Sequence, residues 1–174
     1  MKYSIVASDF ELHPEGVHSA VVVGWKDMGI VETNYGKKHR AIIKFESLSA
    51  TRSDGNPHLV FDFLNVAFGN KAKLSERYKQ ITGRLLQGDI FDPADLLGIK
   101  VELFIVQNSD ETGRTFANIA KVTRCENQDV DISGLKNQIG VEFSDEGADS
   151  GEALVKPEEE QTAAPADDLG DLPF

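Results

Sequence analysis

The sequence predicts an all-β body containing a single helix, followed by an acidic segment that builds no core. Three observations carry this. Stretches rich in Val, Ile and Phe, separated by Gly, Pro, Asn and Asp, occur three times before residue 70 and twice after residue 98. Between them, residues 71–86 change to a helical period. The charge is also divided. Residues 1–124 hold 16 Lys+Arg against 15 Asp+Glu, a net of +1, and residues 125–174 hold 2 against 14, a net of −12, which together make the −11 of the 174-residue chain. The acidity belongs to the tail, and the body is close to neutral.

Taken in order, residues 1–16, with Pro14 and Gly16, read as an arm or edge strand leading into the body. Val17 to Trp25 is dominated by Val17, Val21, Val22 and Val23 and predicts a strand that continues toward Val31, with Gly24 or Gly29 marking a bulge. Asn34-Tyr35-Gly36-Lys37 is a turn. Arg40 to Ser47 then alternates Ala41, Ile43 and Phe45 against Arg40, Lys44 and Glu46. Ser53-Asp54-Gly55-Asn56-Pro57 is a second turn, and Leu59 to Phe68 a third strand. Leu74, Tyr78, Ile81 and Leu85 line one helical face, with Asn70 as the expected N-cap and Gly88 as the expected stop. After the loop at Asp92-Pro93 come strands at Ile99–Val106 and Arg114–Thr123. Residues 125–144 are ambiguous: Ile132, Leu135, Ile139, Val141 and Phe143 suit an element that docks on the body or on another subunit. From Asp145 the composition is too poor in large apolar residues to order itself.

Three strands, one helix, two strands is the order of the OB-fold, a five-stranded Greek-key barrel with its helix between strands 3 and 4. Other small barrels and α+β sandwiches share the strand count, but the single helix in that slot favours the OB-fold. The expected domains are therefore 1–124 for the barrel, 125–144 for the ambiguous segment, 145–166 for a disordered acidic linker and 167–174 for a separate tip.

Several function classes find no support. Cys125 is the only cysteine, which excludes an internal disulfide and any multi-cysteine metal site. His13, His18, His39 and His58 show neither metal-ligand spacing nor a nucleophile motif, and the chain has no phosphate loop or dinucleotide fingerprint. No enzyme activity and no cofactor are expected. The opening Met1–Val6 run is too short for a secretory signal, and no stretch approaches the ~18 apolar residues of a membrane span, so a soluble, cytoplasmic protein is expected.

An OB-fold takes single-stranded nucleic acid on its second and third strands and adjoining loops, using cations for the backbone and aromatic faces for stacking. Trp25, Tyr35, Phe61, Phe63 and Phe116 are the candidate platforms, and with ten Phe in a small barrel most must fill the core. Trp25 beside Lys26 and Tyr35 beside Lys37-Lys38 stand out, each next to a turn and to cations. The candidate cations are Lys37, Lys38, Arg40, Lys44, Arg52, Lys71, Lys73, Arg77 and Arg114. For any one of them the ordinary role is a solvated surface charge; the densest cluster is Lys37-Lys38-His39-Arg40.

Two stretches carry resemblances. Asp167-Asp168-Leu169-Gly170-Asp171-Leu172-Pro173-Phe174 resembles the C-terminal tip of bacterial and phage single-stranded DNA-binding proteins, several Asp followed by Ile-Pro-Phe. It departs in Leu172 for Ile and in the interrupting Leu169-Gly170. The resemblance implies that Phe174 enters an apolar pocket on a partner while Asp167, Asp168 and Asp171 meet a basic rim, with Leu172 and Pro173 completing the hook. Asp95-Leu96-Leu97-Gly98-Ile99 with Asp110–Ile119 is similar to phage-encoded OB-fold proteins associated with single-stranded DNA. Together they imply a protein of phage or prophage type, working in the host cytoplasm. It would coat single strands with little sequence preference and recruit replication, recombination or repair proteins. The acidic tail is further expected to compete for the protein's own basic groove, and any self-association to give a dimer rather than a tetramer. The alternatives are a protein-binding OB adaptor with a solubilising tail, and an RNA-binding OB protein.

Overall fold

The computed structural model describes residues 11–69, 71–88 and 90–143. It is mostly β with one α-helix. Strands β1 (Gly16–Thr33) and β2 (Gly36–Thr51) form a long hairpin, and β3 (Pro57–Asn65) pairs with the far edge of β2. Strand β4 (Lys100–Ser109) pairs with Gly16–Val21 of β1, and β5 (Thr115–Arg124) with β4. The antiparallel order is β3-β2-β1-β4-β5, and a sixth short strand, β6 (Gly140–Phe143), joins β1 in parallel. Among the described residues no ladder joins β3 to β5, so the sheet is open along that seam.

Two shifts of register shape β1. The first lies between Val22 and Gly24. An extra residue in one strand reverses which parity faces inward, so the core receives Ala20 and Val22 before the bulge and Trp25 after it. The second lies between Asp27 and Gly29, where Gly29 holds φ +68° and donates its N–H to Asp27 Oδ1 at 2.7 Å. A left-handed residue at a bulge is a position for glycine. Both glycines singled out in the sequence thus mark bulges, and the strand runs on to Thr33.

The helix α1 (Lys73–Thr82) turns Leu74, Tyr78 and Ile81 into the core. Its N-cap is Ala72, which supplies no side-chain bond, and Asn70, the expected cap, lies outside the described residues. The helix ends earlier than expected. Gly83 rather than Gly88 is the C-cap: at φ +76° its N–H donates to Lys79 O, which leaves Leu85 67% exposed beyond the helix. Helix α1 spans the open seam: Arg77 reaches Asp62 of β3 with Nε at 2.6 Å and the carbonyl of Ile119 in β5 with a terminal nitrogen at 3.4 Å.

The ambiguous segment docks on its own body. Gln128 receives the Lys100 N–H and donates to the Lys100 carbonyl. The buried carboxylate of Glu46 accepts the N–H groups of Lys136 and Asn137 and the Asn137 side-chain amide. Val141 of β6 then packs against the core. At the other end of the chain, Glu11 accepts from Ser53 while Gln107 donates to the His13 carbonyl and to the Glu15 carboxylate. The acidic linker and tip, 145–166 and 167–174, lie outside the described residues.

Candidate nucleic-acid interface

Residues opposite one another in an antiparallel ladder share a face. The register therefore builds rows across β3, β2 and β1: Phe61–Lys44–Gly24, Phe63–Ile42–Lys26 and Asn65–Arg40–Gly29, continued in the hairpin by Lys38–Val31. The intervening Val60, Asp62, Leu64, Ala41, Ile43 and Phe45 are all buried, so these rows form the outer face. Phe61 is 37% exposed and Phe63 54%. They stand two residues apart on one strand, about 6.6 Å. Two aromatics open to solvent in the middle of a strand do nothing for the core, and their neighbours on this face are Lys26, Lys38, Arg40 and Lys44.

Beyond β3 the β1–β2 hairpin projects as a wing. Its turn is tied by Thr33, whose hydroxyl donates to the Gly36 carbonyl at 2.7 Å and accepts from the Tyr35 N–H at 3.2 Å. The Tyr35 ring is left 90% exposed at the tip. Lys38 alternates onto the outer face and Lys37 onto the other, both exposed. At the wing's base Asp27 and His39 are joined at 2.7 Å and partly buried, which stiffens the point where the hairpin leaves the sheet. Next to Phe63, a cleft of about 320 Å³ is lined by Arg40, Asn65, Lys71 and Lys73. Lys26, Lys38, Arg40 and Lys71 make no ion pair among the described residues.

Other expected contacts are placed elsewhere. Trp25 is corrected outright: at 2% exposure its ring packs against Phe91 with centroids 5.0 Å apart, leaving no face for a base. Arg77 is corrected as well. Its side chain is 7% exposed and committed to Asp62, Gln80 and the Ile119 carbonyl, so it cannot reach a ligand. Lys73 keeps one side open but donates to Asp62 and to the Phe63 carbonyl. Arg52 pairs with Asp54 in the β2–β3 turn, away from the wing. Arg114 and Phe116 lie at the start of β5, Phe116 being 47% exposed and Arg114 exposed. There Asp110 organises the turn: the Thr112 hydroxyl above all, then the amides of Arg114 and Thr112, hold its carboxyl below the usual range. Asp167, Asp168, Asp171, Leu172, Pro173 and Phe174 are outside the described residues.

No protein-family model and no curated protein matches the chain. The described residues contain no group of three or more His, Cys, Asp or Glu able to hold a metal ion, and no helix long and apolar enough to cross a membrane. What the face can do follows from its own chemistry. Two stacking surfaces flanked by cations, of which Lys26, Lys38, Arg40 and Lys71 make no ion pair among the described residues while Lys44 pairs with Glu142, match a polyanion with aromatic bases, whereas a protein partner would call for a larger apolar centre. Ile42, Asn65 and Glu142 also belong to this face: Ile42 is an apolar residue on the polar side of β2, both parities of β3 around Asn65 are apolar, and Glu142 reaches the face only through the long-range pairing of β6 with β1.

Proposed function

We propose that this chain is a single-stranded DNA-binding protein of phage or prophage type, and that the outer face of β1–β2–β3 with its wing is the binding surface. The observation that carries the proposal is the placement of Phe61 and Phe63, open to solvent, among Lys26, Lys38, Arg40 and Lys44. Bases stack on the two Phe rings and on Tyr35, while the backbone follows the cations toward Lys71. Such binding is tolerant of sequence, since every base has a π-face. In finer detail the body is an OB-fold: the order β3-β2-β1-β4-β5 and a helix bridging β3 to β5 support a five-stranded Greek key sealed by α1 at the open seam. The acidic segment ending in Leu172-Pro173-Phe174 serves as a second site, which recruits replication, recombination or repair proteins to the coated strand.

The test is fluorescence anisotropy of a labelled oligo-dT titrated with the full chain. Binding at low salt that weakens linearly in log–log form as salt rises is expected. Absence of binding at low salt overturns the reading, and equal or tighter binding of oligo-rU would move it to RNA.

A further inference from the structure

One carboxylate stands among the cations of the outer face. Glu142 of β6 lies beside Lys26 in the parallel ladder, and both its oxygens accept from Lys44 Nζ at 2.9 Å. Lys44 belongs to β2, so its side chain passes over β1 to reach β6. It crosses at Gly24, where a Cβ would stand 3.1 Å from Lys44 Cδ and 3.5 Å from the Gly140 carbonyl oxygen. Any larger residue would crowd that passage. The pair is nonetheless open to water, with side chains 24% and 56% exposed, and β6 is only four residues long. It lies along Gly24–Asp27 of β1, past Val21 where the pairing with β4 ends. Short edge strands with few buried contacts are the parts of a fold that open first.

Resting on the reading of this face as the single-strand site, we propose that Gly140–Phe143 is a displaceable strap whose Glu142 occupies, on Lys44, the place of a backbone phosphate. Binding exchanges one charge-assisted hydrogen bond for another of the same kind on the same ammonium group. Occupancy of the face is thereby tied to release of the strap, and anything that holds the strap down weakens binding to the same degree. The device is built from Gly24, Lys44 and the strand Gly140–Phe143 and invokes nothing of the 167–174 tip.

The test uses the full chain with labelled oligo-dT, in the wild type, Glu142→Gln, Lys44→Gln and the double variant. Glu142→Gln is expected to bind about two- to fivefold tighter at low salt, the range of an exposed ion pair, with the gap closing as salt screens it. In the Lys44→Gln background the same change is expected to do nothing. Wild-type binding that Glu142→Gln fails to tighten overturns the strap. So does an equal gain in the Lys44→Gln background, which would come from the lost charge alone. Hydrogen exchange supplies the second readout: the amides of Val141, Glu142 and Phe143 exchange faster in saturating oligo-dT, and unchanged protection overturns displacement. If none of the four proteins binds at low salt, the reading of the face itself falls, and the strap with it.

Discussion

The two faces of the β1–β2–β3 sheet take the same kinds of side chain to opposite ends. Inward, Arg77 and Lys73 converge on Asp62, and Trp25 stacks on Phe91. Outward, Arg40 and Lys38 have no partner among the described residues, and Phe63 and Tyr35 lie open. Residue type does not separate the two sets; the presence of a partner within the chain does. A buried cation is tolerable only when its charge and hydrogen bonds are met, which is what Asp62 does for Arg77. A hydrated cation carries no such cost, and it can trade its counterions for phosphate. Function on this molecule is therefore expected where the chain has left its cations and rings without internal partners.

The most disruptive way to probe this contrast is from the inside. Asp62→Ala leaves Arg77 buried without its carboxylate, and the expected loss is about 3–5 kcal/mol in urea unfolding. Arg40→Gln, on the outer face, is expected to leave the unfolding midpoint where it is. Equal losses from the two would mean that the faces are not energetically distinct.

The outer aromatics come next in size. Phe63→Ala is expected to cost about 1–3 kcal/mol of oligo-dT affinity per base lost, about five- to a hundredfold in Kd, with Phe61→Ala acting likewise. Neither change is expected to lower the melting temperature much. Trp25→Phe should do the reverse, lowering the melting temperature while the affinity of the folded protein stays the same. Loss of affinity in Trp25→Phe with none in Phe63→Ala would place the binding surface elsewhere.

The element order could be read from the sequence because the apolar segments and the helical stretch differ in period, and the glycines of β1 mark real bulges. Which face of β3 is outside could not. In His58–Asn65 both parities are apolar, Val60 and Leu64 against Leu59, Phe61 and Phe63, and the one acid, Asp62, lies on the buried side. Alternation needs polar contrast to be informative, and here the contrast points the wrong way. Trp25 stands beside Lys26 in the sequence, which suggests an exposed platform, but the bulge between Val22 and Gly24 reverses parity just before it and turns the ring inward. The docking of residues 126–143 depends on contacts such as Asn137 with Glu46, about ninety residues apart, and no local pattern encodes them.

The cations give a smaller and more specific signal. For single strands each phosphate contact contributes ~0.7 to the slope of log affinity against log salt. Arg40→Gln and Lys38→Gln are each expected to reduce that slope by about this amount, and Arg77→Lys, if it folds, to leave it unchanged. A slope unaltered by Arg40→Gln would remove the outer face from the binding surface even if affinity fell.

The smallest effect is expected from the buried side again, at the far end of the sheet from the wing. His13 lies with its ring centroid 4.5 Å from that of His18 and 5.0 Å from that of His58, and its Nε2 is buried without a partner among the described residues. Burial first, then the neighbouring His18 and His58, hold its pKa below the ordinary value, against the Pro14 carbonyl that raises it. Burial likewise lowers His58, with Arg52 and His18 adding to it and Glu11 and Asp54 opposing. Because both folded-state values lie below that of the unfolded chain, the unfolded state binds protons first. Stability is therefore complete above about pH 6.5 and declines as pH falls through that value toward the lowered ones. Melting temperatures measured from about pH 7.5 to about pH 5.5 should fall in the wild type and fall less in His13→Gln, which cannot take up the proton. Parallel pH profiles for the two proteins would mean that the imidazole of His13 is already solvated, and that the arm carrying it is not packed against His18 and His58.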